Sequence, residues 1–298
     1  MSTQLEDIAR LLEQSPDFRV LRRLQPRDVF SQSHCEQPLL VGIVLDTETT
    51  GLDLDKAEVI ELAMLKFQYT PDGEVLRVIG KFDELRQPAN PIPPEITALT
   101  GLTDEMVAGR SIDPATVEAF IADAAIVIAH NARFDRPIAE KAWPVFKNLD
   151  WACSLDEIPW RENGSEGTKL AYLLMGAGLF ADAHRASGDC WALLHILSTP
   201  FGAEGKPALA TLLTNARQAT IRIFAVDSPF DRKDLLKTRG YRWSNGTNGG
   251  RRCWWRDVAE RDREAELAFL RASVFLRPVD LPTQHITARE RYSTSAPG

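Results

Sequence analysis

Long apolar stretches are missing from this chain of 298 residues: none approaches the roughly 20 residues that a membrane-crossing helix needs. The opening residues, Met1-Ser2-Thr3-Gln4-Leu5-Glu6-Asp7, lack the basic and apolar segments of a secretory signal. Cysteine is scarce as well. Cys35, Cys153, Cys190 and Cys253 are scattered with no C-x-x-C pair, so they outline neither a zinc site nor a disulfide framework, and a reducing cytoplasm is the expected setting. Basic residues are outnumbered, 35 Lys and Arg against 42 Asp and Glu, for a net charge of −7. That balance excludes a protein coated in cationic surface. It does not exclude a nucleic-acid partner, because cations beside one groove suffice. What is present is ordinary for a soluble globular protein: 44% hydrophobic and 26% charged residues. The length exceeds one compact domain, so two domains, or one with extensions, are expected.

The most informative stretch is residues 39–52. An apolar run over 39–45, bounded by Pro38 and then by polar residues, reads as a strand buried on both faces. Asp46 and Glu48 stand two apart at its end, so the period of a strand aims both carboxylates the same way. Like charges on one face repel unless a polyvalent cation lies between them, and Mg²⁺ or Mn²⁺ prefers such oxygen ligands. The plainer alternative is a polar strand end before a Thr-Thr-Gly turn. Two later stretches bear on the choice. His130-Asn131-Ala132-Arg133-Phe134-Asp135 follows a second apolar run, over 124–129, and opens a helix. His184-Arg185-Ala186-Ser187-Gly188-Asp189 places His and Asp five apart at the start of another helix that runs on through residue 194.

Taken in order, Asp46-x-Glu48, Asn131-x-x-Phe134-Asp135 and His184-x-Ala186-x-x-Asp189 resemble the three motifs of the DEDDh 3′→5′ exonucleases. That superfamily includes the epsilon proofreading subunit of DNA polymerase III, ribonuclease T and oligoribonuclease. The resemblance covers about half of the chain, residues 39–200. It implies a ribonuclease H-like architecture and a site of four carboxylates, Asp46, Glu48, Asp135 and Asp189, holding two Mg²⁺ or Mn²⁺ ions, with Asp46 bridging them. Two cations about 4 Å apart can clamp both the nucleophile and the leaving oxygen of a phosphodiester. His184 is then the general base, since an ordinary imidazole titrates near neutrality. By the same resemblance Leu52 wedges against the terminal base, Thr49 faces the sugar, and Thr47 belongs to the substrate-binding set. Ile96 and Leu99 either touch the terminal base or belong to the core. Asn131 either joins the site or orients a loop.

The rest of the chain is read from periodicity. Leu5, Ile8, Ala9, Leu11 and Leu12 repeat at helical spacing before Ser15-Pro16. Residues 19–24 read as a basic strand, either a phosphate contact or, preferably, a packing strand with a solvated face, and residues 27–38 as a linker. Strands over 59–67 and 75–82 flank a Pro71-Asp72-Gly73 turn. A short helix follows within the stretch 91–103, with Pro near its start and Gly101 near its end. Asp113-Pro114 caps a helix to residue 122. A strand over 124–129, a helix over 133–143, a strand over 151–155 and a helix from about 168 to 175 complete an α/β domain with a mixed five-stranded sheet and flanking helices. Expected boundaries are 1–38 for an N-terminal extension, 39–200 for the exonuclease domain, 201–275 for a small C-terminal α+β module and 276–298 for a polar tail.

In that module a helix over 207–213, a strand over 220–226, a short helix over 231–237 and a last helix over 260–275 surround a hairpin signal at 245–250. From Arg217 to Arg256 there are ten Lys or Arg against three Asp, and three of the seven tryptophans. Basic residues interleaved with aromatics suit single-stranded nucleic acid, which makes Arg242, Trp243, Arg251, Arg252, Trp254 and Arg256 candidate contacts. The alternative is that the tryptophans are the module's core. All five motif residues precede residue 215, so a chain ending there is expected to cut short strands. The expected function is hydrolysis at a single-stranded 3′ end, of DNA in a proofreading or repair role, with a polymerase or replication complex as a possible partner and no membrane. Trimming of RNA, or a polymerase-bound scaffold, are the alternatives. A scaffold needs none of the five motif residues.

Overall fold

Strands buried on both faces carry near-continuous apolar runs, and such runs build the centre of this molecule. The computed structural model describes residues 2–33, 36–182, 184–246 and 251–293. Helix α1 (Ser2–Glu13) and the two-residue strand β1 (Arg22–Arg23) come first. The apolar run becomes β2 (Leu40–Thr49), followed by β3 (Val59–Tyr69) and β4 (Val75–Leu85). The β3–β4 turn depends on Gly73, whose φ is 88° and where a Cβ would lie 2.6 Å from the backbone of Ala210.

After β4 come α2 (Pro94–Thr100), α3 (Asp104–Val107) and α4 (Pro114–Ile121), the last capped by the Asp113 carboxylate accepting from Ala115 N. Strand β5 (Ile126–Ala129) leads into α5 (Ala132–Ala142), and β6 (Trp151–Cys153) into α6 (Ser154–Glu157). The last strand was expected to run to residue 155. It stops at Cys153 because Ser154 already belongs to the helix. The sheet order is β4-β3-β2-β5-β6, antiparallel among the first three strands and parallel among the last three. This is the mixed five-stranded α/β sheet anticipated from the sequence.

Helix α7 (Leu170–Gly176), strand β7 (Leu179–Phe180) and α8 (Ala186–Ser198) follow, then the short pair β8 (Pro200–Phe201) and β9 (Lys206–Pro207), and α9 (Ala208–Ala216). Two cores sandwich the sheet. Val44, Leu65 and Phe67 face α7, α8 and α9, while Ile43, Leu45 and Met64 face α4 and α5. Successive β2 residues thus enter opposite cores, and each fully buried large side chain contributes about 1.5–3 kcal/mol.

The C-terminal sheet is antiparallel in the order β11-β12-β10-β13, built from β10 (Thr220–Ala225), β11 (Arg242–Asn245), β12 (Arg252–Ala259) and β13 (Thr283–Ile286). Helices α10 (Lys233–Thr238) and α11 (Arg263–Phe269) cover one face, and α11 runs on as a π-helical turn, Leu270–Phe275. Strands β11 and β12 pair as the hairpin signal requires, but turn residues 247–250 lie outside the described residues.

Three further assignments differ from expectation. Residues 276–293 of the expected tail are not merely a tail: they supply β13, and Leu281 and Ile286 are buried, while residues 294–298 lie outside the described residues. The apolar residues there are too sparse to show a period. Helix α9 packs in the core of the large sheet rather than in the module. Part of the expected linker lies against β4, with Phe30 N donating to Leu76 O and Val78 N to Asp28 O. As preferred from the sequence, the basic strand β1 packs: it pairs with β7, Arg22 is engaged by Glu6 and Glu13, and Arg23 by Asp182. No helix among the described residues is long and apolar enough to cross a membrane.

Candidate active site

Strand β2 ends at the middle of the sheet, where its last residues meet two helix starts. Asp46 and Glu48 lie on the face toward α8, and Asp189 comes down from the first turn of that helix. One carboxylate oxygen from each of these three residues lies within 4.8 Å of the others. Helix α8 comes this close at its start, where the buried residues Ala186 and Cys190 are small: Cys190 Sγ lies 3.4 Å from Ala63 O and 3.7 Å from Val44 O. The β2–β3 register shifts between Glu48 and Thr49, an irregularity of the kind that re-aims side chains beside functional sites.

Asp135 approaches from the opposite face. It stands in the first turn of α5, is only 4% exposed, and its Oδ1 accepts from Thr47 N at 3.2 Å and Thr47 Oγ1 at 2.9 Å. That backbone N–H is free for it because β5 pairs with β2 only as far as Val44. Thr47 therefore does not fit the substrate-binding set. The strand period turns its buried hydroxyl away from Asp46 and Glu48 and onto Asp135. Thr49 is also buried, and its hydroxyl donates to Gly51 O at 2.8 Å, closing the turn after β2.

Burial and mutual repulsion dominate the electrostatics. Burial first, then the charge of Asp135, holds Asp46 well above the ordinary carboxylate range. Glu48 is pushed up to about 8 by burial and then by Asp189. Burial raises Asp135 to about 7 against the lowering pull of its Thr47 bonds, and burial likewise raises Asp189. Carboxylates gathered at this spacing must share protons or a hard cation. Oxygen donors alone, clustered and charge-frustrated, fit Mg²⁺ or Mn²⁺ better than a softer metal.

His184 is exposed at the rim, in the left-handed region at φ 67°, with its backbone N donating to Asp189 Oδ2 at 3.1 Å. Leu52 projects into solvent at 85% exposure, and Leu99 is half-exposed. Ile96 packs partly on the cluster of Ile60, Ile92, Leu102 and Val107. Asn131, at φ 93°, shapes the entry to α5.

Glu61 was missed. It is fully buried on β3 opposite Glu48, and accepts from Arg185 Nη2 at 2.7 Å and from Ala186 N at 3.0 Å. It thereby caps α8 and anchors the loop that carries His184. The signal was present: a carboxylate interrupts an otherwise apolar run, Val59-Ile60-Glu61-Leu62.

The family model described as Exonuclease, of the RNase T type, matches residues 43–197, from the start of β2 to the end of α8. The chain belongs to the exonuclease family. Among curated relatives, this exonuclease-family chain is 40% identical over 111 residues to a PolC-type DNA polymerase III of Halalkalibacterium halodurans, covering 36% of the chain and 7% of that protein. It is 37% identical over 122 residues to a DNA polymerase III subunit epsilon-like protein of Rhodobacter capsulatus, covering 39% and 17%. The chain thus spans only 7 to 17% of the length of these curated relatives. Among solved structures it is similar to exonuclease X in complex with a 5′-overhanging duplex DNA, at 24% identity and a TM-score of 0.40, covering 57% of the chain and 99% of that protein.

Proposed function

We propose that this chain is a metal-dependent 3′→5′ exonuclease acting on single-stranded 3′ ends of DNA. The observation that carries the reading is the convergence of Asp46, Glu48 and Asp189, with Asp135 buried beside them and His184 at the rim. When bound, two Mg²⁺ or Mn²⁺ ions would offset the carboxylate charge and supply Lewis-acid stabilisation of the phosphate. Asp46, Glu48, Asp135 and Asp189 would hold them. His184 takes a proton from the attacking water, and its exposure leaves it free to pass that proton on. Leu52, in the turn after β2, and Leu99, on α2, are exposed and would offer apolar surface to the terminal base. Hydrolysis releases a nucleoside 5′-monophosphate and a strand shorter by one residue.

DNA is favoured over RNA because the curated relatives include DNA polymerases and an epsilon-like subunit. The same likeness supports a polymerase or replication-complex partner. The buried free thiols Cys153, Cys190 and Cys253 fit a reducing cytoplasm.

A second element of the reading is strand capture by the C-terminal module, proposed as a unit from β10 to β13. Trp243 is 50% exposed with its ring 5.6 Å from that of Trp254, and Arg242, Arg251 and Arg252 are exposed with no acidic partner among the described residues. Arg256 fits this role less well, because it pairs with Glu266 at 3.2 Å. The core of the module is formed by Ile221, Ile223, Val258, Leu267 and Leu270 with Tyr241 and Phe275, Trp254 packs against it, and Trp243 is not part of it. Its half-exposed tryptophan is thereby available for stacking.

The test is degradation of 5′-labelled and 3′-labelled DNA and RNA, single and paired, with and without Mg²⁺. Stepwise shortening of 5′-labelled DNA from the 3′ end, lost on chelation, is expected. Faster cutting of RNA would move the assignment to a ribonuclease, and metal-independent cutting would overturn it.

A further inference from the structure

The segment after β13 leaves the module and returns to the large sheet. There Trp151 N donates to Ala288 O at 3.0 Å. We infer that residues 287–293 form a strap that positions Asp135 within the proposed metal-holding cluster, acting through Arg136. The inference rests on the reading of Asp135 as a cation-holding residue. Arg136 follows Asp135 in the first turns of α5 and is only 1% exposed. Its Nε donates to Glu140 Oε1 at 2.7 Å. The guanidinium lies over the Trp151 ring at 5.6 Å. Its remaining side-chain hydrogen bonds among the described residues go to the strap: Nη1 to Ala288 O at 3.1 Å and Arg291 O at 2.7 Å, and Nη2 to Arg289 O at 2.6 Å.

The strap is itself held firmly. Ser293 Oγ donates to Glu140 Oε2 at 2.7 Å, and Tyr292 OH to Glu157 Oε1 at 2.6 Å. Arg291 donates to Gln218 O at 2.6 Å and pairs with Glu157 at 3.3 Å. Arg133, two residues before Asp135, lies over the Tyr292 ring at 5.2 Å. The turn that carries Asp135 is therefore gripped from both sides, by Thr47 on the sheet and by the strap outside. A guanidinium in a dry site cannot lose three carbonyl acceptors and stay where it is. Without the strap Arg136 must turn toward water, and the first turn of α5 must move with it. Asp135 then leaves the position that Thr47 defines.

The experiment compares the full chain, the full chain with Arg136→Lys, and a chain ending at Ile286. Mn²⁺ affinity is measured by calorimetry, kcat and KM on a short oligonucleotide, and fold by circular dichroism. Lysine keeps the charge but cannot span three acceptors in fork geometry. The chain ending at Ile286 is expected to bind Mn²⁺ roughly 10- to 100-fold more weakly, the loss typical of removing support behind a metal ligand. Its kcat, referred to the folded fraction measured by circular dichroism because unfolded chain lowers apparent kcat in the same way, should fall in step while KM moves less than about twofold. Arg136→Lys should fall between the two. Equal Mn²⁺ affinity and kcat in the folded, shortened chain would overturn the inference. Should that chain fail to fold, Arg136→Lys decides, and wild-type affinity and kcat in it would overturn the inference equally. A full chain that binds no Mn²⁺ would instead overturn the metal reading, and the inference with it.

Discussion

Glu61 and Arg185 form a lopsided ion pair: the carboxylate side chain is 0% exposed and the guanidinium 43%, with Arg185 Nη2 at 2.7 Å from Glu61 Oε1. Because the acid also accepts from Ala186 N, one buried group holds both the start of α8 and the loop before it. Exposure of the arginine moderates the cost of breaking the pair. Glu61→Gln, which keeps the shape and loses the charge, should cost about 1–3 kcal/mol in denaturant unfolding. A loss under about 0.5 kcal/mol, the ordinary effect of a surface change, would show that the pair is not an anchor.

Asp46→Asn should separate activity from stability. The substitution removes one buried charge from a repelling cluster, so the metal-free protein should be as stable as the parent or more so. Hydrolysis should fall by at least about 10²-fold, as when one group that stabilises a transition state is removed. Retention of more than about a tenth of the parent rate would break the cation-holding assignment.

The raised carboxylates make the metal-free protein sensitive to pH in a definite direction. Glu48 rises from an ordinary 4.5 to about 8, and Asp135 from 3.8 to about 7, so the folded state binds more protons than the unfolded one. Their contribution is complete below the unfolded values near 4 and is lost as pH climbs through 7 and 8. Melting temperature in chelator should therefore drop between pH 5.5 and pH 8.5. Added Mg²⁺ should raise it more at the higher pH, where the carboxylates are bare. A melting temperature that rises with pH in chelator would contradict the electrostatic account of the site.

His184→Ala should cost about 10²- to 10⁴-fold in kcat, with little change in KM or melting temperature because the side chain is exposed. The pH dependence of kcat near neutrality should flatten in the variant. A profile identical to the parent's would remove His184 from proton transfer.

For the C-terminal module, Trp243→Ala should weaken binding of long single strands by about 1–3 kcal/mol without loss of fold, since the ring is half-exposed. Trp254→Ala should also destabilise the module, because that ring packs on its core. Replacing Arg242, Arg251 and Arg252 together should flatten the slope of log affinity against log salt by about 2, at roughly 0.7 per contact. An unchanged slope and unchanged affinity would point to a module that binds protein instead.

Much of the site could be read from local pattern. A period of two put Asp46 and Glu48 on one face, and the length of the apolar run placed them at the end of a central strand. The resemblance to the exonuclease motifs singled out Asp135 and Asp189, and the stretches that carry them read as helix starts. These are short-range rules, and they survive folding because the elements obeying them are buried and regular.

Only the tertiary structure decided how the carboxylates divide between the faces of the sheet, with the buried Thr47 hydroxyl turned onto Asp135. It also decided that Glu61 anchors α8 across 125 residues of sequence, and that Arg136 is satisfied by Arg291 across 155. By the inference above, a chain ending near residue 215, which lacks those acceptors, should cut more slowly than the full chain, although every motif residue precedes that point. Residues 276–293 carry too few apolar side chains to show a period, and backbone carbonyl acceptors leave no mark on residue identity. A buried arginine finds its partners through the fold, and nothing in its neighbours along the chain names them.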